Sequence, residues 1–242
     1  MKIDRKFYVI GSALALFIGL PLLLYGLSAA PTRSFLKEII SILTILAVFL
    51  ILGQLFLTRS NEGLRMLFDG RQVQTTHKFI AYGAVGWLLL HPLLIVFPRF
   101  FEAGVKPLDA LVTMLTTFEN LGILLGLTAW LLLLVLGFMS VFRMRIMKLF
   151  GLTYRKWRYI HGGLSIIFLP LGLWHAIELG RHIDLGMAAA MIFFATVGIA
   201  MLAVFYAKTV PQDRAKHRGR QLHQSATHQE PILPTPSKGT HL

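Results

Sequence analysis

The chain alternates between long apolar runs and short polar connections. The runs are each about 20 residues long, which is the length a helix needs to cross the hydrocarbon core of a bilayer. They predict membrane-spanning helices near residues 7–29, 36–57, 77–97, 119–142, 159–179 and 185–207. The pattern therefore predicts an all-α integral membrane protein, built as a six-helix bundle.

The composition agrees with this pattern. Of the 242 residues, 55% are hydrophobic and 14% are charged, and the mean hydropathy is +0.66. These values exclude an ordinary soluble domain of this size. The first run also resembles a signal peptide, because it follows a basic start and ends at Ser28, Ala29 and Ala30. Its length of about 20 residues favours a retained helix over a cleaved peptide.

The basic residues are distributed unevenly along the chain. Of the 24 Lys and Arg residues, 19 lie before the first run, in the second and fourth connections, or after the last run. The positive-inside rule then places both termini in the cytoplasm, and we expect the bacterial inner membrane. The formal net charge of +13 is explained by this basic surface, which also attracts anionic lipid. It requires no nucleic-acid partner.

Several kinds of site are excluded by what the sequence lacks. There is no cysteine, which excludes iron–sulfur clusters, covalently attached c-type haem and disulfides. There is no G-x-G-x-x-G after a strand and no Walker loop, so we expect no flavin or nicotinamide domain. Residues 208–242, rich in Pro, Gln and basic residues, predict a disordered cytoplasmic tail. The histidines of this tail are better explained by a solvated segment than by a metal site: His217, His223, His228 and His241.

Four histidines lie inside the predicted spans, as two pairs fourteen residues apart: His77 and His91 in the third span, His161 and His175 in the fifth. Fourteen residues of α-helix turn through about 1400°, some 40° short of four full turns, and rise about 21 Å. The two members of a pair therefore share one helix face. The third and fifth spans run in the same direction, so His77 and His161 should form one pair near the inner surface of the membrane. His91 and His175 should form a second pair near the outer surface.

Two such histidine pairs, one near each surface, suit two b-type haems. His77 and His161 are then the axial ligands of the inner haem iron, and His91 and His175 are those of the outer haem iron. A single histidine at a helix end is often an interfacial residue. That interpretation does not explain why four histidines form two pairs with the same spacing. An ionisable group inside a membrane is expensive and is commonly functional. Zinc is less plausible, because each level supplies two nitrogens and no further ligand.

The neighbouring residues fit a flat macrocycle, although each also has an ordinary explanation. Small residues beside the histidines leave room for a porphyrin or merely allow close helix packing: Gly83, Ala84, Gly86, Gly162, Gly163 and Gly172. Phe168, midway between His161 and His175, is either an electron stepping residue or a core residue. Arg155 and Arg158 can pair with the inner haem propionates, and Arg99 and Arg181 are weaker outer candidates.

The stretch from Leu152 to His161, Leu-Thr-Tyr-Arg-Lys-Trp-Arg-Tyr-Ile-His, followed by His175, resembles the start of the fifth helix in ferric reductase-like transmembrane domains. The His77 and His91 pair matches the other half of that pattern. The superfamily includes the NADPH oxidases, the yeast-type ferric reductases and the haem-binding membrane subunit of the methionine sulfoxide reductase system. The resemblance covers about residues 36–207, between a first helix and outer loop at 1–35 and the tail at 208–242. It implies two bis-histidine b haems that pass electrons from a cytoplasmic flavin to an outer acceptor.

The chain differs from the oxidases and ferric reductases in lacking their C-terminal FAD and NADPH domain. The resemblance therefore implies a stand-alone membrane cytochrome, the electron-transfer component of an oxidoreductase. Its donor is a partner flavoprotein or quinol, and its acceptor is ferric iron, a periplasmic redox protein or oxygen, in that order. Two alternatives remain: a b561-type cytochrome using quinol or ascorbate, and a non-redox membrane transporter. The parallel fourteen-residue pairs argue against the first, and the scarcity of other ionisable groups in the spans argues against the second.

Overall fold

The structure is a computed structural model that describes residues 5–57, 61–102, 104 and 106–227. Within these residues, six helices are long and apolar enough to cross a membrane. They are α1 (Arg5–Leu27), α2 (Phe35–Gln54), α4 (Gly70–Val96), α6 (Leu121–Val141), α8 (Tyr154–Leu179) and the first part, Leu185–Val204, of α9 (Leu185–Thr227). Three shorter helices lie between them: α3 (Glu62–Leu67), α5 (Pro107–Thr116) and α7 (Arg143–Leu149). The prediction of an all-α integral membrane protein with six spans is confirmed.

The first span contains one wide turn. Residues Ala15–Gly19 form a π-helical turn, and Pro21 follows it inside the helix. A proline has no N–H and its ring collides with the carbonyl four residues earlier, here that of Phe17. A single π turn relieves such a clash without ending the helix. The span therefore remains continuous to Leu27.

The spans pack as neighbouring pairs, with α2 against α4 and α6 against α8, while α1 lies on α2. Four phenylalanines link α1, α2 and α9: Phe17 lies 5.0 Å from Phe194 and 5.5 Å from Phe56, and Phe49 lies 6.2 Å from Phe194, between ring centroids. Phe49 is fully buried. Lipid is as apolar as these side chains, so close packing rather than exclusion from water holds such helices together.

Some helix bounds differ from the sequence expectation. The third span begins at Gly70 rather than near residue 77, and the fifth at Tyr154 rather than near 159. Both begin earlier because a polar capped turn extends each helix beyond its apolar run. Residues from Ala203 on form a second unit, and its backbone is helical to Thr227. A disordered tail was expected there from residue 208; Ala, Gln, Arg and Lys are good helix formers, which favours a helix instead. The tail prediction for residues 228–242 lies outside the described residues.

Candidate functional site: paired histidines on two parallel helices

The two histidine-bearing helices begin in the same register. Asp69 precedes α4, and the Gln72 side-chain oxygen accepts from its backbone N–H at 3.1 Å. Thr153 precedes α8, and its hydroxyl accepts from the backbone N–H of Lys156 at 3.3 Å. Such caps satisfy backbone groups that the first helical turn leaves without partners. Each cap stands eight residues before the first histidine of its helix, so His77 and His161 enter the bundle at equivalent positions.

The structure brings the four histidines together in the two expected pairs. His161 and His77 are close enough to interact electrostatically, and so are His91 and His175. All four are partly buried. The described residues hold no group of three or more His, Asp or Glu side chains arranged for a metal ion. Each of the two levels thus offers a pair of imidazoles.

His175 is oriented by the neighbouring helix α6. Its Nδ1 lies 2.8 Å from the carbonyl oxygen of Gly122. A carbonyl can only accept a hydrogen bond, so Nδ1 carries the hydrogen and Nε2 of the neutral ring keeps a free lone pair. One turn further along α6, Gly126 provides the space for the ring: a Cβ there would lie 2.9 Å from His175 Cγ and still nearer to two other ring atoms. No other residue type fits at this position without moving His175.

His91 is oriented by Thr44 on α2. The Thr44 hydroxyl donates its one hydrogen to the Ile40 carbonyl at 2.7 Å, and it accepts from the indole N–H of Trp87 at 3.1 Å. Its remaining contact is with His91 Nδ1 at 3.4 Å, a long hydrogen bond. Because the hydroxyl hydrogen is already used, Nδ1 must be the donor. In the neutral imidazole of His91, as in that of His175, the lone pair is then on Nε2.

Both of these rings line one cavity of about 670 Å³. Its wall is largely apolar and includes Ile45, Leu133 and Phe168. Four basic residues and one acidic residue, Glu102, also line it, all near helix ends on the same side of the bundle; the basic residues are Arg33, Lys37, Arg99 and Arg181. Ligand sites are typically apolar cavities of this size range with a few polar groups that fix orientation. The cavity is therefore suited to a large flat apolar ligand that also carries acidic groups.

The His77–His161 pair has different surroundings and does not line this cavity. His161 stacks on the indole of Trp157, with ring centroids 5.1 Å apart and planes inclined by 14°. Trp157 in turn stacks on Tyr154 at 5.9 Å, and Arg143 lies 5.7 Å from both of these rings. The buried Nδ1 of His161 has no hydrogen-bond partner among the described residues. His161 is thus positioned by aromatic stacking, whereas His91 and His175 are positioned by hydrogen bonds.

The remaining residues singled out in the sequence lie as follows. Arg155 is exposed in the first turn of α8, and the half-buried Arg158 lies over the Tyr159 ring at 5.8 Å. Phe168 is buried and forms part of the His91–His175 cavity. A Cβ added at Gly83, Gly86 or Gly163 would meet nothing within 4 Å, while at Gly172 it would touch Phe168. Three of the six small residues therefore border open space.

Several positioning residues were not found from the sequence. Thr44 contacts a histidine 47 residues away, and Gly122 contacts one 53 residues away. In the sequence, Thr44 is a lone threonine in an apolar run and Gly122 is a glycine in a leucine-rich run. Both features are common in membrane helices, so neither indicates a contact with a histidine. His182, in the turn between α8 and α9, was also passed over, and it is buried against Tyr25 and Glu38.

Comparison with known proteins identifies the family of this chain. The family model described as ferric reductase like transmembrane component matches residues 43–172. That region contains His77, His91 and His161 and ends three residues before His175. An uncharacterised protein of Archaeoglobus fulgidus is 36% identical over 184 residues, which is 74% of this chain and 96% of the relative. No solved structure matches the chain.

Proposed function

The chain belongs to the family of ferric reductase-like transmembrane components, and from this premise we propose that it is a di-haem b-type cytochrome. In this proposal His77 and His161 are the axial ligands of an inner haem, and His91 and His175 those of an outer haem. The protein is then the membrane electron-transfer component of an oxidoreductase. It moves electrons between redox partners on opposite sides of the bilayer.

The observation that carries the proposal is the state of the two cavity histidines. Each donates from Nδ1, to the Gly122 carbonyl or the Thr44 hydroxyl, and each therefore keeps a lone pair on Nε2. A histidine that binds a metal typically has its other nitrogen tied to an oxygen in this way, which fixes the tautomer and raises ligand basicity. A pair of histidines held only by helix packing would not require matched Nε2 lone pairs beside one cavity.

The other residues around the cavity fit a haem as well. The apolar wall suits the macrocycle, and Arg99 and Arg181 offer cations for the two propionates, whereas Arg33 and Lys37 pair with Glu38 and Glu102. Arginine–carboxylate contacts of this kind are stronger than neutral hydrogen bonds. A haem with histidine at both axial positions supplies one-electron transfer and leaves no open position on the metal. The protein supplies position, burial and ligand orientation.

The distribution of charge suggests where the electron donor binds. The segment 143–158 carries six basic residues beside the His77–His161 pair: Arg143, Arg145, Lys148, Arg155, Lys156 and Arg158. Opposite charge steers partners during encounter, so this surface suits an acidic flavoprotein or a flavin phosphate. Quinol dissolved in the bilayer is the second candidate donor. The acceptor is extracytoplasmic, with ferric iron first, then a periplasmic redox protein, then oxygen.

The test is spectroscopic. The purified protein should give a reduced-minus-oxidised spectrum of low-spin b haem, and a pyridine haemochrome assay should give two haems per chain. The double variant His91→Ala, His175→Ala should keep one haem, while His223→Ala in the tail should keep both. Absence of a haem band would replace the proposal with a non-redox membrane protein. Two haems in the double variant would overturn the outer assignment.

A further inference from the structure

Tyr25, Glu38 and His182 form a polar cluster beside the His91–His175 cavity. His182 is 5% exposed, and its ring stacks on Tyr25 with centroids 4.2 Å apart. Its Nε2 lies 3.2 Å from Glu38 Oε2 and 3.3 Å from the Tyr25 hydroxyl. The Tyr25 hydroxyl donates to the same carboxylate oxygen. A buried ionisable cluster at the edge of a membrane is costly to maintain and is commonly functional.

The hydrogen bonds fix where each proton resides. Glu38 accepts from Tyr25 and from the N–H at Nε2 of His182, so the lone pair of the neutral imidazole is on Nδ1. This Nδ1 is buried and has no hydrogen-bond partner among the described residues. His182 also lines the cavity that contains His91 and His175. A purely structural Glu–His pair needs both ring nitrogens satisfied, since an unpartnered buried acceptor is unfavourable.

The surroundings of the cluster shift the pKa of His182 in opposite directions. Burial is the main cause that lowers the pKa of His182; Arg33 and Arg181 lower it further, and Glu38 opposes them. Three other ionisable residues at this end are engaged elsewhere. Lys37 pairs with Glu102, and Asp184 caps α9 through the backbone N–H of Met187 at 2.9 Å.

A hydrogen-bonded route joins the cluster to the surface. Arg33 Nε lies 3.3 Å from Glu38 Oε1, and these two side chains are 30% and 17% exposed. Arg33 also donates to Ser41 at 2.6 Å. Oε1 of Glu38 therefore contacts Arg33, which is partly exposed to solvent, whereas Oε2 contacts His182. The negative charge of this carboxylate, next to the imidazole, favours the protonated form of His182.

We propose that His182 is a proton-binding site coupled to the redox state of the His91–His175 haem. The proposal rests on the proposed function. For each electron that the flavin or quinol donor adds to this site, one proton from water binds at His182 Nδ1, while the N–H at Nε2 stays hydrogen-bonded to Glu38. Oxidation by the acceptor releases both. The reason is electrostatic: an added negative charge in a poorly solvated cavity raises the proton affinity of a nearby base, and the coupling is reciprocal.

The experiment is a redox titration of the haem-loaded protein between about pH 5 and 8, the range in which histidine titrates. In the wild type, the midpoint potential of the His91–His175 haem should fall as pH rises. This dependence should be lost in His182→Gln and shifted to another pH range in Tyr25→Phe. Lys106→Gln is the control, because Lys106 is an exposed cation near α5, and it should keep the wild-type slope.

A second measurement needs no variant. Stoichiometric reduction of the wild type in weakly buffered solution should take up a proton as the His91–His175 haem is reduced, and a pH indicator detects it. A pH-independent potential, or a His182→Gln variant with the wild-type slope, overturns the proposal. Haem content separates this failure from that of the proposed function. Two haems with a flat titration overturn the proton site alone, whereas a protein without haem overturns both.

Discussion

Glycine at position 126 has a role that its residue type alone does not reveal. His175 occupies the space that a side chain at this position would fill, and the same ring is bonded to Gly122, one turn away. Removing a single hydrogen-bonding partner changes stability by about 1 kcal/mol. If the histidines hold haem as proposed, however, a displacement of about 1 Å would disturb the geometry of the metal site. The most sensitive positions of this site are therefore small residues facing the histidines, as well as the histidines themselves.

Gly126→Ala should remove the His91–His175 haem and leave the other. The added methyl group would lie 2.9 Å from His175 Cγ and nearer to other ring atoms, so the imidazole must turn away from Gly122. Haemochrome assays should give one haem per chain rather than two. The matched control is Gly137→Ala on the same helix, where the new methyl meets Val85 at an ordinary 3.5 Å. Equal haem content in the two variants would show that Gly126 does not position His175.

The helices show which parts of this structure the sequence could predict. The six spans were located correctly because twenty apolar residues have few alternatives to crossing a membrane. The pairing of His77 with His161 and of His91 with His175 followed from helix periodicity and parallel direction. The short helices α3, α5 and α7 were not predicted, because six to ten residues give little periodic signal. Thr44 and Gly122 were missed because contacts between helices depend on their rotation, which no local pattern records.

The helix register predicts the effect of an insertion. One alanine added after Gly86 in α4 turns the rest of the helix by about 100° relative to His77. His91 should then leave the cavity, while His77 keeps its partner His161. We expect loss of one haem, with the remaining spectrum matching that of the His91→Ala, His175→Ala variant. An alanine added after Thr227, at the end of α9, is the control and should change neither haem. Retention of both haems after the α4 insertion would contradict the shared-face arrangement.

At the scale of the whole molecule, the basic residues are unevenly distributed along the sequence, and this asymmetry predicts its orientation. Because 19 of the 24 Lys and Arg residues fall before the first span, in the second and fourth connections, or after the last span, both termini should face the cytoplasm. A reporter fused after Leu242 should be active if it functions in the cytoplasm and inactive if it requires export. The converse fusion, placed in the connection near Lys106, should give the opposite result. Activity of an exported reporter after Leu242 would reverse the inner and outer assignments of the two haems.

The same charge distribution, together with the absence of a nucleotide motif in these 242 residues, predicts how the molecule is reduced. The two histidine levels stand about 21 Å apart along the helices, across much of a hydrocarbon core of about 30 Å. Haems held at these two levels, as proposed, would conduct electrons, and the given sequence contains no motif that would bind NADPH. The purified chain should therefore remain oxidised with NADPH alone and become reduced when a flavin reductase is added.

Dithionite is the control for this experiment, because it should reduce both haems directly and show that they are competent. The rate with flavin reductase should fall as ionic strength rises, since the basic segment 143–158 attracts an acidic partner through screened charges. A rate that is independent of salt would place the donor elsewhere, and a short-chain quinol would then be the reductant to test. Rapid reduction by NADPH alone would defeat the prediction, because it would require a nucleotide site within the chain itself.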